Sequence, residues 1–213
     1  MSLELWRRRY RKAPITAVKR ELLSVEADPP ELPDDAVPAP VLCVTGDAAG
    51  AAVFAANWLP HIAQRGHAAH AVSVRGQGGT PKGDGGRDGK VHDVVQAAAA
   101  LPSRCILIGH DLGALWVAHA ITRYPAVCAI LLAPKGLTKA PASPLGECRV
   151  IVAGSPDDKK SGPKVLDRAA QAYQGAPLLF PGIGHDVMND PNWQQPLDAI
   201  LDWISEPVAT PVS

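Results

Sequence analysis

The sequence predicts a single α/β domain, in which helices cover both faces of a mostly parallel sheet. A chain of 213 residues lies within the usual range for one domain, and its apolar fraction of 46% is enough for one substantial core. Short apolar runs are nearly continuous rather than alternating, as in strands that are buried on both faces. Segments of helical character separate these runs, and this alternation is typical of βαβ units.

Six apolar runs predict strands, and five further segments predict helices. The strands are expected at residues 41–45, 69–74, 105–109, 128–133, 149–154 and 177–181. The helices are expected at residues 51–64, 90–101, 112–123, 165–173 and about 193–204. Residues 16–26 permit an early edge strand, and the glycine-rich residues 76–89 predict a surface loop. We therefore divide the chain into an N-terminal extension (1–40), a core (41–205) and a flexible tail (206–213).

The charge balance favours small molecules as partners. Twenty-one basic residues offset twenty-one acidic residues, so no overall field favours nucleic acid or an anionic membrane surface. No apolar run approaches the ~20 residues of a membrane helix, and no apolar signal segment follows the basic cluster at residues 7–12. That cluster predicts a solvated tail, with a partner-binding or nucleic-acid-binding arm as the alternative. We expect a cytoplasmic protein that binds neither nucleic acid nor membranes.

The cysteines predict buried free thiols rather than a metal site. All four lie within or beside apolar runs that read as strands: Cys43, Cys105, Cys128 and Cys148. They lack the close CxxC pairs of zinc sites, so we expect neither a metal nor another cofactor. A catalytic cysteine is the alternative, but none lies at a strand-to-helix turn with a base nearby.

Residues 109–113, Gly-His-Asp-Leu-Gly, lie where a strand runs directly into a helix. The spacing fits the GxSxG turn of nucleophilic enzymes, with Asp111 at the centre instead of serine. The flanking glycines let the backbone bend, and the central side chain then points outward at the carboxyl edge of the sheet. There the amide of Leu112 could stabilise a developing oxyanion. Taken alone, the pattern also fits an aspartate that caps a helix.

Further motifs along residues 41–204 resemble those of the α/β-hydrolase family. Thr45-Gly46-Asp47 follows the first core strand, where the family usually has His-Gly-x, and residues 73–78 look like its Asp-x-Arg-Gly-x-Gly segment with Ser73 in place of aspartate. The resemblance implies an α/β-hydrolase fold. It also implies that the Asp47 amide is the second oxyanion donor, beside Leu112.

The same resemblance implies a catalytic triad. Gly182-Ile183-Gly184-His185 matches the family's Gly-x-Gly-His segment, so it implies that His185 is the base. An acid three residues past Gly154 matches the triad carboxylate, which favours Asp157. Asp158 is the alternative, and a pair of solvated loop acids is a third interpretation. The order nucleophile, acid, histidine is that of the family. The remaining histidines are interpreted as structural or exposed: His61, His67, His70, His92, His110 and His119.

An aspartate nucleophile suits displacement at a saturated carbon, because its alkyl ester can then be hydrolysed. The GHDxG turn resembles that of epoxide hydrolases and haloalkane dehalogenases. However, residues 134–148 are too short for the cap that carries proton-donating tyrosines in those epoxide hydrolases, and Leu112 replaces the halide-binding tryptophan of the dehalogenases. Lys135 and Lys139 are candidate acids, although solvated lysines are the commoner case. A protonated Asp47 is a further candidate acid, with an ordinary loop residue as the alternative.

Without a cap, we expect a shallow site or one completed by a second subunit in a homodimer. Its expected lining is Leu112, Trp116, Val187 and Met188, and its substrate a hydrophobic small molecule. Three functions compete: hydrolysis of an epoxide or related electrophile through Asp111; cofactor-independent acid–base chemistry in natural-product (secondary) metabolism, such as a lyase, oxygenase or bond-forming step; and ligand binding without catalysis.

Overall fold

A computed structural model describes residues 15–27, 38–137, 139 and 141–206. The basic cluster at residues 7–12 and most of the tail at 206–213 lie outside the described residues. Within them, seven strands form one sheet: β1 (Leu22–Val25), β2 (Val41–Thr45), β3 (Ala69–Val72), β4 (Ile106–His110), β5 (Cys128–Leu132), β6 (Arg149–Gly154) and β7 (Leu178–Leu179). The helices are α1 (Ala52–Ala55), α2 (Trp58–Gln64), α3 (Gly86–Ala99), α4 (Leu112–Ala120), α5 (Pro163–Gln171) and α6 (Gln194–Ser205), and a short 3₁₀ turn (Val187–Asn189) precedes α6.

The sheet has the order β1-β3-β2-β4-β5-β6-β7. All neighbouring strands run parallel except β1, which pairs antiparallel with β3 at one edge. The predicted α/β architecture with a mostly parallel sheet is therefore confirmed, and the early edge strand is present as β1. Because strand order reverses around β2 and β4, their carboxyl ends border the crevice in which such sheets bind ligands.

Two apolar layers hold the helices on the sheet. On one face, α3, α4 and α5 pack against alternate strand residues such as Leu42 and Leu107. On the other, α1, α2 and α6 pack against the intervening residues, such as Cys43 and Ile108. Strands β2 to β5 are buried along their whole length, which explains why they read as continuous apolar runs.

The helix expected at residues 51–64 is divided into α1 and α2. Pro60 has no backbone N–H and therefore cannot continue a helix from the preceding turn. It lies in the first turn of α2, where a missing donor costs little, and α2 begins at Trp58. Between β5 and β6, the described residues contain no helix or strand, so no cap covers this edge of the sheet. No helix of the described chain is both long and apolar enough to cross a membrane.

The serine that replaces aspartate after β3 acquires a carboxylate from elsewhere in the chain. Ser73 Oγ donates to Glu21 Oε2 at 2.5 Å, and it accepts the amide of Ala51 at 2.8 Å. Glu21 also accepts the amide of Gly79 at 3.0 Å. Glu21, which directly precedes the edge strand β1, thus anchors the loop after β3.

A buried ion pair organises the same loop. Arg75 donates from Nε and Nη2 to the two carboxylate oxygens of Asp93, each at 2.8 Å, and the Asp93 side chain is fully buried. The Arg75 amide also donates to this carboxylate at 2.8 Å. Since the guanidinium is itself buried, removal of Asp93 would leave its charge with only the half-exposed carboxylate of Asp84, 3.0 Å from Nη1, as a partner.

We therefore expect Asp93→Ala to lower the free energy of unfolding by about 3–5 kcal/mol, as for other broken buried ion pairs. Urea denaturation would measure the loss. Asp202→Ala is the matched control, because Asp202 pairs with Arg65 through a carboxylate that is 67% exposed. Its expected cost is about 0–1 kcal/mol, and equal losses in the two variants would contradict the prediction.

Candidate functional site

Asp111 lies at a sharp turn between β4 and α4. Its backbone has φ 54° and ψ −122°, a conformation that residues other than glycine rarely adopt. A Cβ at Gly109 would lie 2.6 Å from the carbonyl oxygen of Gly113, and a Cβ at Gly113 would collide with Val44 on β2. The turn is closed by hydrogen bonds from the Asp111 amide to Leu132 and from the Lys135 amide to the Asp111 carbonyl, both 3.1 Å. The flanking glycines are therefore steric requirements of this turn.

The Asp111 carboxylate lies between the oxyanion loop after β2 and His185. A Cβ at Gly46 would be 2.5 Å from Asp111 Oδ2 and 2.6 Å from the Leu112 nitrogen, so the carboxylate and this amide lie directly against Gly46. Oδ1 is buried, has no hydrogen-bond partner among the described residues, and lies 3.6 Å from His185 Nε2. That distance is an ion-pair contact rather than a hydrogen bond.

The opposite nitrogen of His185 is held by Asp158. Nδ1 lies 2.6 Å from Asp158 Oδ2, and the Asp158 side chain is only 1% exposed. Its other oxygen accepts the amide of Lys160 at 2.7 Å. The side chain of His185 thus lies between those of Asp111 and Asp158 at the carboxyl edge of the sheet. The three residues follow three different strands.

Comparison with known proteins identifies the family of the chain. A model of the alpha/beta hydrolase family matches residues 41–210. This chain belongs to the alpha/beta hydrolase family. Among curated proteins, the search for relatives by sequence found no match.

Solved structures of similar fold include several hydrolases. The monoacylglycerol lipase of Paleococcus ferrophilus has a TM-score of 0.68 at 15% identity, with 89% of this chain and 98% of that chain covered. Est1E from Butyrivibrio proteoclasticus, solved with ferulic acid, has a TM-score of 0.68 at 14% identity (93% and 100% covered). A meta-cleavage product hydrolase from Pseudomonas fluorescens has a TM-score of 0.69 at 12% identity (87% and 94% covered). At these identities the likeness establishes the fold.

The expected pairing of Asp157 with His185 is wrong, because Asp158 makes that contact. Asp157 instead accepts the amide of Gly182 at 2.7 Å, and Asp190 accepts the amide of Gly184 at 2.9 Å. These two carboxylates hold the loop that carries the histidine of this alpha/beta hydrolase. Asp190 was not among the predicted site residues, since its role depends on a fold-back of the chain that no local motif reports.

The electrostatics favour an ionised Asp111 and a protonated His185. Burial opposes the charge on Asp111, but contacts with His185 and the Leu112 amide outweigh it and hold the pKa of this carboxyl below its usual value. The contact with Asp111 and the hydrogen bond to Asp158 raise the pKa of His185, against the opposing effect of burial. Burial likewise opposes ionisation of Asp158, but the bond from His185 and the Lys160 amide lower its pKa.

The predicted second oxyanion donor is already engaged. The Asp47 amide donates to Thr45 Oγ1 at 3.1 Å, and the Asp47 carboxylate accepts the amide of Ala49 at 2.7 Å. The side chain therefore serves its own loop rather than acting as an acid beside Asp111. Of the two predicted oxyanion amides, only that of Leu112 contacts the Asp111 carboxylate.

Three of the four predicted lining residues are buried in the core. Trp116 is 4% exposed and packs between α3 and α4, with Lys90 Nζ 4.9 Å from its ring centre. Val187 and Met188 are each 1% exposed and pack on the opposite face of the sheet. These three predictions are wrong, because the lining was inferred from proximity in sequence rather than from the direction of the side chains. Leu112, at the start of α4, remains half-buried.

Groups for metal binding do not gather at this site among the described residues. In the described parts of the chain, no cluster of three His, Cys, Asp or Glu side chains could hold a metal ion. The four thiols are buried and free, as predicted, and burial raises their pKa values. Tyr124 accepts the amide of Cys105 at the start of β4, which is the opposite edge of the sheet. Lys135 and Lys139 are both exposed, and the charge of Lys135 contributes to the lowered pKa of Asp111.

We expect Asp158→Asn to lower the pKa of His185, because the variant removes a carboxylate that stabilises the imidazolium. Asp157→Asn is the matched control and should leave this pKa unchanged, since Asp157 contacts Gly182 instead. Histidine titration by NMR in both variants measures the effect. A larger decrease in the Asp157 variant would restore Asp157 as the partner of His185.

Proposed function

We propose that this alpha/beta hydrolase opens an epoxide, or a related electrophile at saturated carbon, through a covalent ester on Asp111. The observation that carries the proposal is the position of the Asp111 carboxylate at the turn between β4 and α4, with Oδ1 3.6 Å from His185 Nε2. Attack of a carboxylate on an acyl group would give a reactive anhydride. Attack on a saturated carbon gives an ordinary alkyl ester, which water can hydrolyse.

The first step forms a bond between Asp111 Oδ1 and one epoxide carbon. The carbon–oxygen bond of the ring breaks, and the electron pair leaves on oxygen as an alkoxide. The His185 imidazolium donates its Nε2 proton to this alkoxide. In the described part of the chain no tyrosine lies at this edge of the sheet, so His185 takes the role of the proton donor that a cap would otherwise supply.

The second step needs neutral His185 as a base, and formation of the ester favours this neutral state. Contact with the Asp111 carboxylate is the main cause of the raised pKa of His185, and esterification removes the negative charge. Neutral His185 then takes a proton from water, while the hydroxide attacks Cγ of Asp111 and the Leu112 amide stabilises the oxyanion. The ester bond breaks, and the diol leaves with the proton of the added hydroxyl. Carboxylate and imidazolium are both restored.

A single turnover in heavy-oxygen water tests the ester. With enzyme in excess over styrene oxide as the probe, the water oxygen should enter the Asp111 carboxylate, because water attacks Cγ and the diol takes its oxygen from Asp111. Mass spectrometry of the peptide that contains Asp111 measures this label. Asp111→Asn is the control, and it should form neither label nor diol.

Label in the diol with none in Asp111 would instead support the second candidate, acid–base chemistry without an ester. The observation favouring that candidate is the burial of Asp111 Oδ1, which lets the carboxylate serve His185 rather than reach a substrate. Unchanged ligand binding and no turnover in Asp111→Asn, His185→Gln and the wild type alike would identify a binding relative. For the first two candidates we propose a hydrophobic small molecule as substrate, cytoplasmic action and a possible homodimer.

The acid role of His185 predicts a characteristic pH dependence. Since the free enzyme must hold ionised Asp111 and protonated His185, kcat/KM should fall as pH rises through the raised pKa of His185, and fall again at acid pH below the usual aspartate range. Initial rates with styrene oxide across pH measure the profile. Asp158→Asn should move the alkaline limb to lower pH, whereas a kcat/KM that increases through this range would restrict His185 to the role of base.

A further inference from the structure

His110, the residue before the nucleophile, joins the loop of the base to the oxyanion loop. It is 4% exposed, its Nε2 lies 2.9 Å from the carbonyl oxygen of His185, and its Nδ1 lies 3.2 Å from Thr45 Oγ1. A carbonyl oxygen only accepts hydrogen bonds, so Nε2 carries the proton. Burial lowers the pKa of His110, which favours the neutral ring. Nδ1 is therefore an acceptor, and the Thr45 hydroxyl must donate to it.

The same reasoning determines the direction of the next hydrogen bond. With its proton committed to His110, Thr45 Oγ1 offers a lone pair, and the Asp47 amide donates to it at 3.1 Å. Gln77 holds the peptide units on either side of this amide, because its Nε2 donates to both the Thr45 carbonyl (3.0 Å) and the Asp47 carbonyl (2.7 Å), and its side chain is buried. The chain of donors runs from Asp47 to Thr45 to His110.

We propose that Thr45 is a specificity-determining residue, whose hydroxyl, oriented by His110, withholds the Asp47 amide from the oxyanion site. Only the Leu112 amide then faces the reacting group. The inference rests on the proposed function only for the position of the reacting carbon beside Asp111. In the family motif a histidine usually stands at this position, and it would not present a hydroxyl at the same point.

A single donor suits a carboxylate nucleophile. Each hydrogen bond to the resting carboxylate stabilises its charge, and two such donors would make Asp111 a weaker nucleophile. Attack of a neutral serine on an acyl substrate has the opposite requirement, because its oxyanion forms only during the reaction and gains from every preorganised donor. Hydrolysis of the Asp111 ester also forms an oxyanion, and the Leu112 amide alone stabilises it. Thr45 and Asp111 therefore both disfavour attack on an acyl substrate.

Amide hydrogen exchange tests the hydrogen bond directly. Thr45→Val keeps the volume of the buried side chain but removes the hydroxyl, and Thr45→Ser keeps the hydroxyl. The Asp47 amide should exchange roughly five- to tenfold faster in Thr45→Val, as expected for loss of one ordinary hydrogen bond, and at the wild-type rate in Thr45→Ser. Equal exchange rates in the valine variant and the wild type would overturn the proposal.

A serine background tests the functional consequence. We would compare Asp111→Ser alone with Asp111→Ser combined with Thr45→Val or with Thr45→Ser, using p-nitrophenyl acetate as the acyl substrate. The valine combination should increase kcat/KM roughly 10- to 100-fold over Asp111→Ser, since one oxyanion donor becomes free, and the serine combination should match Asp111→Ser.

Equal rates in the three serine-nucleophile proteins, including no detectable hydrolysis in any of them, would overturn the proposal, provided circular dichroism shows that each is folded. This result does not depend on the ester chemistry of Asp111, which has been replaced. A failure of the heavy-oxygen experiment would therefore reject the proposed function and leave the role of Thr45 to these variants.

Discussion

The positive φ of Asp111 is the constraint around which this site is built. A non-glycine residue in such a conformation costs about 1–3 kcal/mol, so the surroundings must hold it in place. They do so by close approach: α4 begins immediately after the turn, and Gly113 lies against the backbone of β2. The same approach puts the Leu112 amide and Gly46 next to the carboxylate. The positions of the Asp111 carboxylate and the Leu112 amide are thus consequences of one turn.

Two carboxylates on opposite sides of one imidazole give the site its electrostatic character. Asp158 is buried and accepts hydrogen bonds from His185 and a loop amide, which stabilise its charge. The charge on Asp111 disappears when the residue is esterified. His185 therefore lies between one carboxylate whose charge stays and one whose charge changes. Its pKa is expected to follow the charge on Asp111. In the proposed mechanism, this coupling allows one residue to serve as acid and then as base without a cap.

The loops around the site are held by contacts that distant segments supply. Glu21, just before the edge strand, provides the carboxylate that Ser73 lacks, and Asp190 supports the histidine loop from beyond it. Thr45 and His110 connect the oxyanion loop to the same histidine. Contacts between segments that are distant in sequence thus hold these loops in place.

The sequence by itself determined the α/β alternation, the nucleophile turn and the position of His185. These features depend on local periodicity and on glycine spacing, which contiguous residues encode. Only the tertiary structure decided between Asp157 and Asp158, because adjacent loop residues point in different directions and the hydrogen bonds of the loop select one of them. It also decided that the Asp47 amide is engaged and that Trp116 faces the core. Such outcomes depend on which distant groups meet in space, and no local pattern reports them.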